Sequence, residues 1–207
     1  MVTNERQDKL LKKLYGSVLG RVLLKTLTAP VISRAAGIFM DSKASKLLIK
    51  PFIKRSGIDT SQYIMRDFRS YNDFFTRRVI PEKRPVDYEP SHLISPCDSK
   101  LTVHKISKNS IFRIKGSCYR VSDLLKNDFL AKRFCGGYCL IFRLEVDDYH
   151  RYCYIDNGTK TENTYIAGEL HTVNPIALER YNIYKRNCRE YTVLHTENFG
   201  DVVQVEV

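Results

Sequence analysis

Apolar residues in the first part of the chain recur with the 3.6-residue period of an amphipathic α-helix. One such ladder covers 11–27, with leucine, valine and tyrosine on one side and lysine and arginine on the other. Pro30 ends it, because proline lacks the backbone donor that a helix interior needs. Similar runs follow at 32–40 and 43–55. The pattern therefore predicts three amphipathic helices in this part of the chain.

The pattern of apolar residues changes after a stretch with three prolines at 81–90, where we predict a domain boundary. Before it, residues 61–78 are predicted to form one more helix. After it, short runs rich in β-branched and aromatic residues predict strands, while 122–134, capped by Ser122, and 175–184 predict helices. The predicted strands are 101–106, 111–114, 138–146, 152–155, 191–195 and 202–207.

Two turn signals indicate how these strands are connected. Asn157-Gly158 and Asn198-Phe199-Gly200 are typical of hairpins, since these residues tolerate a positive φ. Hairpins join antiparallel strands, so most of the sheet is expected to be antiparallel. The predicted fold class is α+β, with N-terminal amphipathic helices followed by a mostly antiparallel, β-rich domain.

Positive charge is concentrated at the N-terminal end. The chain has a formal net charge of +11, and residues 1–60 hold twelve basic and four acidic side chains. The helices there have two interpretations: they cover the core of a domain, or they lie on an anionic membrane surface. No stretch reaches the ~20 apolar residues of a membrane span, and the N-terminus lacks a secretory signal. We therefore expect a protein that stays on the cytoplasmic side and does not cross a membrane.

The six cysteines show no metal-binding spacing. No CxxC pair occurs, so a zinc ribbon is not expected, nor is any other metal site. A chain of 207 residues with 43% hydrophobic residues has no need of disulfides, and we expect free thiols in a reducing compartment.

Three polar residues are candidates for chemistry. His150, in DDYHR, follows the longest apolar run, where an imidazole can be held rigidly and donate a proton, or can simply cap the strand. His171, in GELHTVNP, lies at a strand-to-helix junction, where it can contact an anion or bond to the turn. Asp98, in SPCDS, can act in a site or bond to the backbone two residues on. The residues alone leave these alternatives open.

Several enzyme classes lack their usual motifs in this chain. There is no GxSxG elbow, Walker loop or GxGxxG, so acyl-transfer, nucleotide and dinucleotide chemistry have no support. No RNP-like or helix-turn-helix signature occurs either, and no nucleic-acid partner is expected despite the basic charge.

Six short segments, taken in order, carry more information than any one of them. They are YNDFFTR at 71–77, SPCD at 95–98, KG at 115–116 with Tyr119 and Leu124-Leu125, DYHR at 148–151, GELHTVNP at 168–175 and NFGD at 198–201. In this order and spacing they resemble the phosphatidylserine decarboxylase family, and the chain looks like its shorter, mainly Gram-positive-type members. The resemblance extends from about residue 15 to the last residue.

This resemblance implies a pyruvoyl-dependent carboxy-lyase that is made as a proenzyme. Members of the family cut themselves at a serine in a Gly-Ser-Thr motif, which becomes a pyruvoyl group on a small C-terminal chain. The pyruvoyl carbonyl forms a Schiff base with phosphatidylserine and acts as the electron sink for loss of carbon dioxide, which yields phosphatidylethanolamine.

The resemblance also implies roles for the candidate residues. Asp98 matches the aspartate that orients a histidine for self-cleavage, and His150 matches the histidine associated with decarboxylation. Many members have a second histidine three residues later, where this chain has Cys153. Our hypothesis is that His171 takes over as the partner of Asp98; Cys153 is the rival.

The Gly-Ser-Thr motif does not occur in the 207 residues, and the chain ends at Val207. By the resemblance, the pyruvoyl group derives from a serine beyond residue 207, and this chain alone is expected to be inactive without a small chain that carries the group. The alternative function is a catalytically inactive module that binds lipid at a membrane surface.

The implied substrate changes the interpretation of the N-terminal helices. Phosphatidylserine is an anionic membrane lipid, so residues 1–60 are predicted to be a membrane-associating segment and 61–207 an incomplete catalytic domain. The expected location is the cytoplasmic side of the cell membrane, as a peripheral protein. Acyl-chain preference and oligomeric state, a homodimer included, stay open.

Overall fold

Helices dominate the first part of the chain and strands the second. A computed structural model describes residues 5–27, 29–114, 117–170 and 183–207. Within these residues the first strand begins only at Lys100, and every pairing between strands is antiparallel. The predicted α+β class is confirmed.

The helices of the described residues are mostly short. None of them is long and apolar enough to cross a membrane. The α-helices are α1 (Glu5–Gly16), α2 (Val18–Leu27), α3 (Pro30–Asp41), α4 (Ile49–Ser56), α5 (Tyr71–Phe75), α6 (Val121–Leu125), α7 (Asp128–Arg133) and α8 (Ile183–Arg186), and 3-10 helices cover Lys43–Leu48, Thr60–Gln62 and Pro81–Lys83.

Local hydrogen bonds divide two of the predicted helices. The 11–27 ladder is broken at Ser17, whose hydroxyl accepts a hydrogen bond from the Gly20 backbone N–H at 2.9 Å and begins α2. The 122–134 helix is broken at Lys126, where φ is 51°. Asn127 then caps α7 by accepting from the backbone N–H of Leu130 at 2.9 Å. The predicted cap at Ser122 is wrong, because α6 already begins one residue earlier.

The predicted helix over 61–78 is also wrong for most of its length. Residues 62–64 instead pair with 78–80: the Ile64 N–H donates to the Arg78 carbonyl at 2.8 Å, and the Ile80 N–H donates to the Gln62 carbonyl at 2.9 Å. Such pairing requires an extended backbone. Within 61–78 only α5 is α-helical, and its start is capped by Ser70.

The strands form two ribbons and one four-stranded sheet. Strand β1 pairs with β4, β2 with β3, and the long strand β7 pairs with β5, β6 and β8. The strands are β1 (Lys100–Lys105), β2 (Ile111–Ile114), β3 (Ser117–Arg120), β4 (Tyr138–Arg143), β5 (Gly158–Lys160), β6 (Thr164–Ile166), β7 (Arg189–Thr196) and β8 (Asp201–Glu206).

One of the two predicted hairpins is confirmed. The turn before Gly200, where φ is 68°, joins β7 to β8. The turn signal at Asn157-Gly158 instead marks the start of β5, which pairs with the distant β7. A Cβ at Gly158 would lie 2.1 Å from the His195 carbonyl oxygen, so this close approach requires glycine. The predicted strand at 152–155 is not formed; its Cys153 N–H bonds to the Pro96 carbonyl instead.

Two predictions fall partly or wholly on residues that the structure does not describe. Residues 175–182 of the predicted helix over 175–184 lie outside the described part of the chain, as does His171.

Apolar side chains are buried in two clusters. The larger lies between β7, the β2–β3 ribbon and helices α6 and α7; its buried residues are Ile106, Phe112, Tyr119, Val121, Leu125, Leu130, Ala131, Tyr191 and Val193.

The second cluster, the aromatic cluster, consists of Phe52, Ile58, Tyr63, Phe68 and Phe74. Phe74 is fully buried, and the rings of Phe52 and Phe68 meet it edge to face at centroid distances of 6.2 and 5.4 Å. Helix α4 therefore packs against residues on the other side of position 60. The functional division at that position stays a prediction.

Candidate active site

The β1–β4 ribbon brings two distant segments to one end of the fold. Lys100, at the start of β1, pairs with Arg143, at the end of β4. Chain that precedes β1 and chain that follows β4 therefore leave the ribbon together. Asp98 belongs to the first segment and His150 to the second. A hydrogen bond from the Cys153 N–H to the Pro96 carbonyl, at 2.8 Å, ties the two segments together.

An open cleft of about 210 Å³ lies beside these segments. Its lining is polar, with four carboxylates and one guanidinium. The lining residues are Gly57, Ile58, Asp59, Gln62, Tyr63, Arg84, Asp98, Asp147 and Asp148.

Asp98 is held in this cleft by Arg84. The Arg84 Nε donates to both carboxylate oxygens, at 3.0 and 2.8 Å, and a terminal nitrogen lies 2.8 Å from Oδ2. The other terminal nitrogen of Arg84 donates to the Gln62 side chain at 3.0 Å. The hydrogen bond to Asp98 raises the pKa of Arg84 above its ordinary value, so the guanidinium keeps its charge. A forked guanidinium fixes both the position and the orientation of the carboxylate.

His150 is placed by its own loop and by α5. Its Nε2 lies 3.0 Å from the Glu145 carbonyl oxygen, and its ring stacks on Phe75 at a centroid distance of 3.9 Å. The loop is closed by Asp148, whose carboxylate accepts from the Glu145 N–H at 2.6 Å. Burial is the main cause that lowers the pKa of His150 below 6.5. The imidazole is therefore neutral at pH 7.

The structure places Asp98 and His150 near each other without joining them. His150 follows two lining residues of the cleft but is not itself one of them. Between the described side chains, no hydrogen bond connects His150 to Asp98, whose carboxylate is occupied by Arg84. The roles of Asp98, His150 and His171 stay predictions, and His171 lies outside the described residues.

Cys153, the rival to His171, lies within the described residues. Cys153 is bonded through its backbone to the segment that carries Asp98. Burial raises the pKa of its thiol above 9.0, so the sulfur stays protonated at neutral pH and is a poor base. Among the residues that the structure describes, no group of three or more His, Cys, Asp or Glu could hold a metal ion.

Sequence reasoning missed Arg84, which orients Asp98. Arg84 follows the 3-10 helix Pro81–Lys83 in a stretch that showed only prolines and charges. No local period distinguishes a cation that points into a cleft from one that points into water. Its partner lies 14 residues away, and only the folded chain shows the contact.

Comparison with known proteins identifies the family. The model of the family described as "Phosphatidylserine decarboxylase" matches residues 71–207, about two thirds of the chain. This chain belongs to the phosphatidylserine decarboxylase family. Family members are carboxy-lyases, and the matched region of this member holds Asp98, Arg84 and His150.

Curated phosphatidylserine decarboxylase proenzymes also match the N-terminal helices. The chain is 48% identical over 198 residues to phosphatidylserine decarboxylase proenzyme 2 of Clostridium acetobutylicum. This aligned region covers 95% of the present chain and 68% of the relative. The chain is 41% identical over 205 residues to the proenzyme of Clostridium kluyveri, with 97% and 69% covered. For the proenzyme of Ruminiclostridium cellulolyticum the identity is 39% over 204 residues, with 96% and 68% covered.

Proposed function

We propose that this chain is the large-chain portion of a phosphatidylserine decarboxylase, which converts phosphatidylserine to phosphatidylethanolamine and carbon dioxide. The observation that carries the proposal is the family match over 71–207, a region that contains both Asp98 and His150. The cleft supports it. The carboxylates of its lining residues suit the amino group of a serine headgroup, and one of them, that of Asp98, is held by Arg84.

The proposed cofactor is a pyruvoyl group derived from a serine beyond residue 207. Its reactive carbonyl needs a site without competing amines or thiols, and the residues described as lining the cleft include no lysine and no cysteine. The cleft therefore fits the group. When bound, the pyruvoyl carbonyl supplies an electron sink for decarboxylation.

The chain's own residues then have separate tasks. Arg84 holds Asp98 in one orientation, from which the carboxylate can orient a histidine during self-cleavage. His150 is neutral, so its ring can hold or move a proton without adding a fixed charge to the site. The carboxylates of Asp147 and Asp148 lie on the cleft wall, where they favour a cationic amino group.

Carbon dioxide release tests this proposal. The chain is extended in frame with the C-terminal segment of the 48% identical relative, and phosphatidylserine labelled in its carboxyl group is supplied. We expect self-cleavage, seen by mass spectrometry as a small chain with a pyruvoyl end, followed by release of labelled carbon dioxide. Self-cleavage without carbon dioxide, or neither, would contradict the function and favour the inactive lipid-binding module.

We also propose that the N-terminal helices place the protein on the cytoplasmic face of the membrane. Helices α2 and α3 leave large apolar side chains exposed to solvent. Their exposed fractions are 71% for Val18, 82% for Leu19, 63% for Val22, 50% for Leu23, 78% for Val31, 43% for Ile32, 68% for Ile38 and 48% for Phe39. Apolar side chains among lysines and arginines suit the interface of an anionic bilayer.

Binding to vesicles that contain phosphatidylserine is the expected result. Raising the salt from about 0.1 M to about 1 M shortens the screening length from ~10 Å to ~3 Å, so affinity should fall steeply. Replacing both Leu19 and Leu23 by aspartate should weaken binding by at least about tenfold, because it removes apolar area from the interface. Co-sedimentation with vesicles measures both effects.

Phe129 offers the matched control for this experiment. It is 80% exposed in α7, outside the N-terminal helices. The Phe129→Asp variant should bind vesicles as the parent chain does. Equal losses in both variants, or binding that ignores salt, would contradict the proposed membrane surface.

A further inference from the structure

Arg77 is one of the most deeply buried side chains in the described part of the protein, with 2% of its surface exposed. It follows α5, and its guanidinium lies over two aromatic rings. The Cζ atom is 4.1 Å from the ring centroid of Tyr63 and 5.1 Å from that of Phe74. Because a guanidinium is not deprotonated in proteins, a full positive charge is buried within the aromatic cluster.

The hydrogen bonds of Arg77 go to main-chain carbonyls. One terminal nitrogen lies 3.3 Å from the carbonyl oxygen of Asp147 and 3.5 Å from that of Asp148, and the other lies 3.5 Å from the carbonyl oxygen of Phe75. The Nε atom has no partner. No ion pair joins Arg77 to a carboxylate of the described residues, so this charge is faced by carbonyl dipoles and aromatic rings.

The charge of Arg77 also acts on His150. Two charged groups act on the imidazole: Arg77, from the segment after α5, disfavours its protonation, and Asp148, from its own loop, favours it. The other groups that act on the ring are neutral: the side chain of Phe75 and the main chain of Glu145 and Val146. A neutral imidazole is the form that this combination of burial and charge supports.

Arg77 thus touches three residues of the cleft lining: Tyr63 through its ring, and Asp147 and Asp148 through their carbonyls. We propose that Arg77 is a positioning residue, which fixes the Asp147–Asp148 main chain along the cleft wall and with it the loop that carries His150. The charge of Arg77 also disfavours protonation of the His150 imidazole. The proposal deepens the proposed function and rests on it for the catalytic meaning of His150. The arrangement itself can be tested without turnover.

Titration of His150 in the 207-residue chain tests the role of the charge. The imidazole C2 proton is followed by NMR and assigned from its loss in the His150→Gln variant. We expect a higher pKa for His150 in Arg77→Met and in Arg77→Gln, which remove the charge, and no change in Arg77→Lys, which keeps it. The matched control is Arg78→Gln, at the exposed neighbouring position, which should leave the titration unchanged.

Three results would overturn the electrostatic part of this proposal. They are an unchanged pKa for His150 in the neutral variants, an equal rise in Arg77→Lys, and an equal rise in Arg78→Gln.

Amide hydrogen exchange tests the role of Arg77 on the main chain. A lysine ammonium cannot reach the same carbonyls as the guanidinium, so exchange at residues 147–149 should be about tenfold faster in Arg77→Lys, as for loss of one hydrogen bond. If Arg77→Met and Arg77→Gln both lose their native circular dichroism, the test rests on Arg77→Lys. In Arg77→Lys, faster amide exchange at 147–149 together with an unchanged pKa of His150 supports the proposal. Unchanged exchange, or a changed pKa of His150, overturns it.

The outcome is separable from that of the proposed function. If carbon dioxide release fails while the Arg77 variants behave as expected, only the catalytic meaning is lost. If the extended chain is active but the His150 titration ignores Arg77, the positioning role is wrong and the enzyme assignment stands.

Discussion

Replacing Asp98 by asparagine in the extended proenzyme is expected to slow self-cleavage by on the order of 10⁴-fold, as when the orienting carboxylate of a catalytic triad becomes an amide. The amide cannot hold a histidine in the tautomer that activates a serine, and it also leaves Arg84 without its charged partner. Uncleaved precursor on a denaturing gel, followed over time, measures the rate.

Uncleaved precursor would also accumulate if Asp98→Asn destabilised the fold. The Arg84 and Asp98 side chains are 37% and 28% exposed, so loss of this ion pair should cost no more than about 1 kcal/mol in the free energy of unfolding. Asp67→Asn is the control, since this carboxylate is 90% exposed and pairs only with Lys46 among the described residues. Normal cleavage in Asp98→Asn would remove Asp98 from the mechanism.

The partner of Asp98 can be identified in the same assay. If His171 has replaced the second family histidine, His171→Ala should block cleavage and Cys153→Ala should not. The opposite result would favour the cysteine, although burial keeps its thiol protonated at neutral pH.

His150→Gln is expected to separate self-cleavage from decarboxylation. Precursor should still be cut, while carbon dioxide release falls by about 10²- to 10⁴-fold, the range for loss of a proton-transfer group. Assay of both steps on one preparation measures the separation. A variant that stops cleavage as well would place His150 in both steps.

The pH dependence follows from the environment of His150. Burial, supported by the charge of Arg77, lowers its pKa below 6.5, so the neutral ring persists to more acid pH than in an exposed histidine. With the neutral ring as the active form, the rate of carbon dioxide release should be retained to a more acid pH than an exposed histidine would allow, and should decline below that. His92→Gln is the control, because that side chain is 61% exposed and lies outside the cleft lining.

The sequence predicted element types better than element ends. The 3.6-residue period at 11–27 correctly indicated helix, but it could not show that Ser17 would cap a second helix and break the first. The helix predicted over 61–78 was wrong for most of its length, because Tyr63 pairs with Val79 and packs in the aromatic cluster.

The site shows the same difference. Asp98 and His150 could be selected from motif order, since each lies in a short segment with a recognisable pattern. Arg84 lies in none of these segments. Arg77 ends one of them, but its role, like that of Arg84, comes from what it contacts: carbonyls 70 and 71 residues away for Arg77 and a carboxylate 14 residues away for Arg84.

The sequence by itself determined the α+β class, the basic N-terminal segment and the family resemblance, because each depends on local period, composition or motif order. Only the tertiary structure decided that Lys100 pairs with Arg143, which brings the two site segments to one end of a ribbon. It also decided that a guanidinium is buried on carbonyls beside His150. Strand pairing and burial depend on residues far apart in the chain, and no local pattern records which distant partner a side chain will meet.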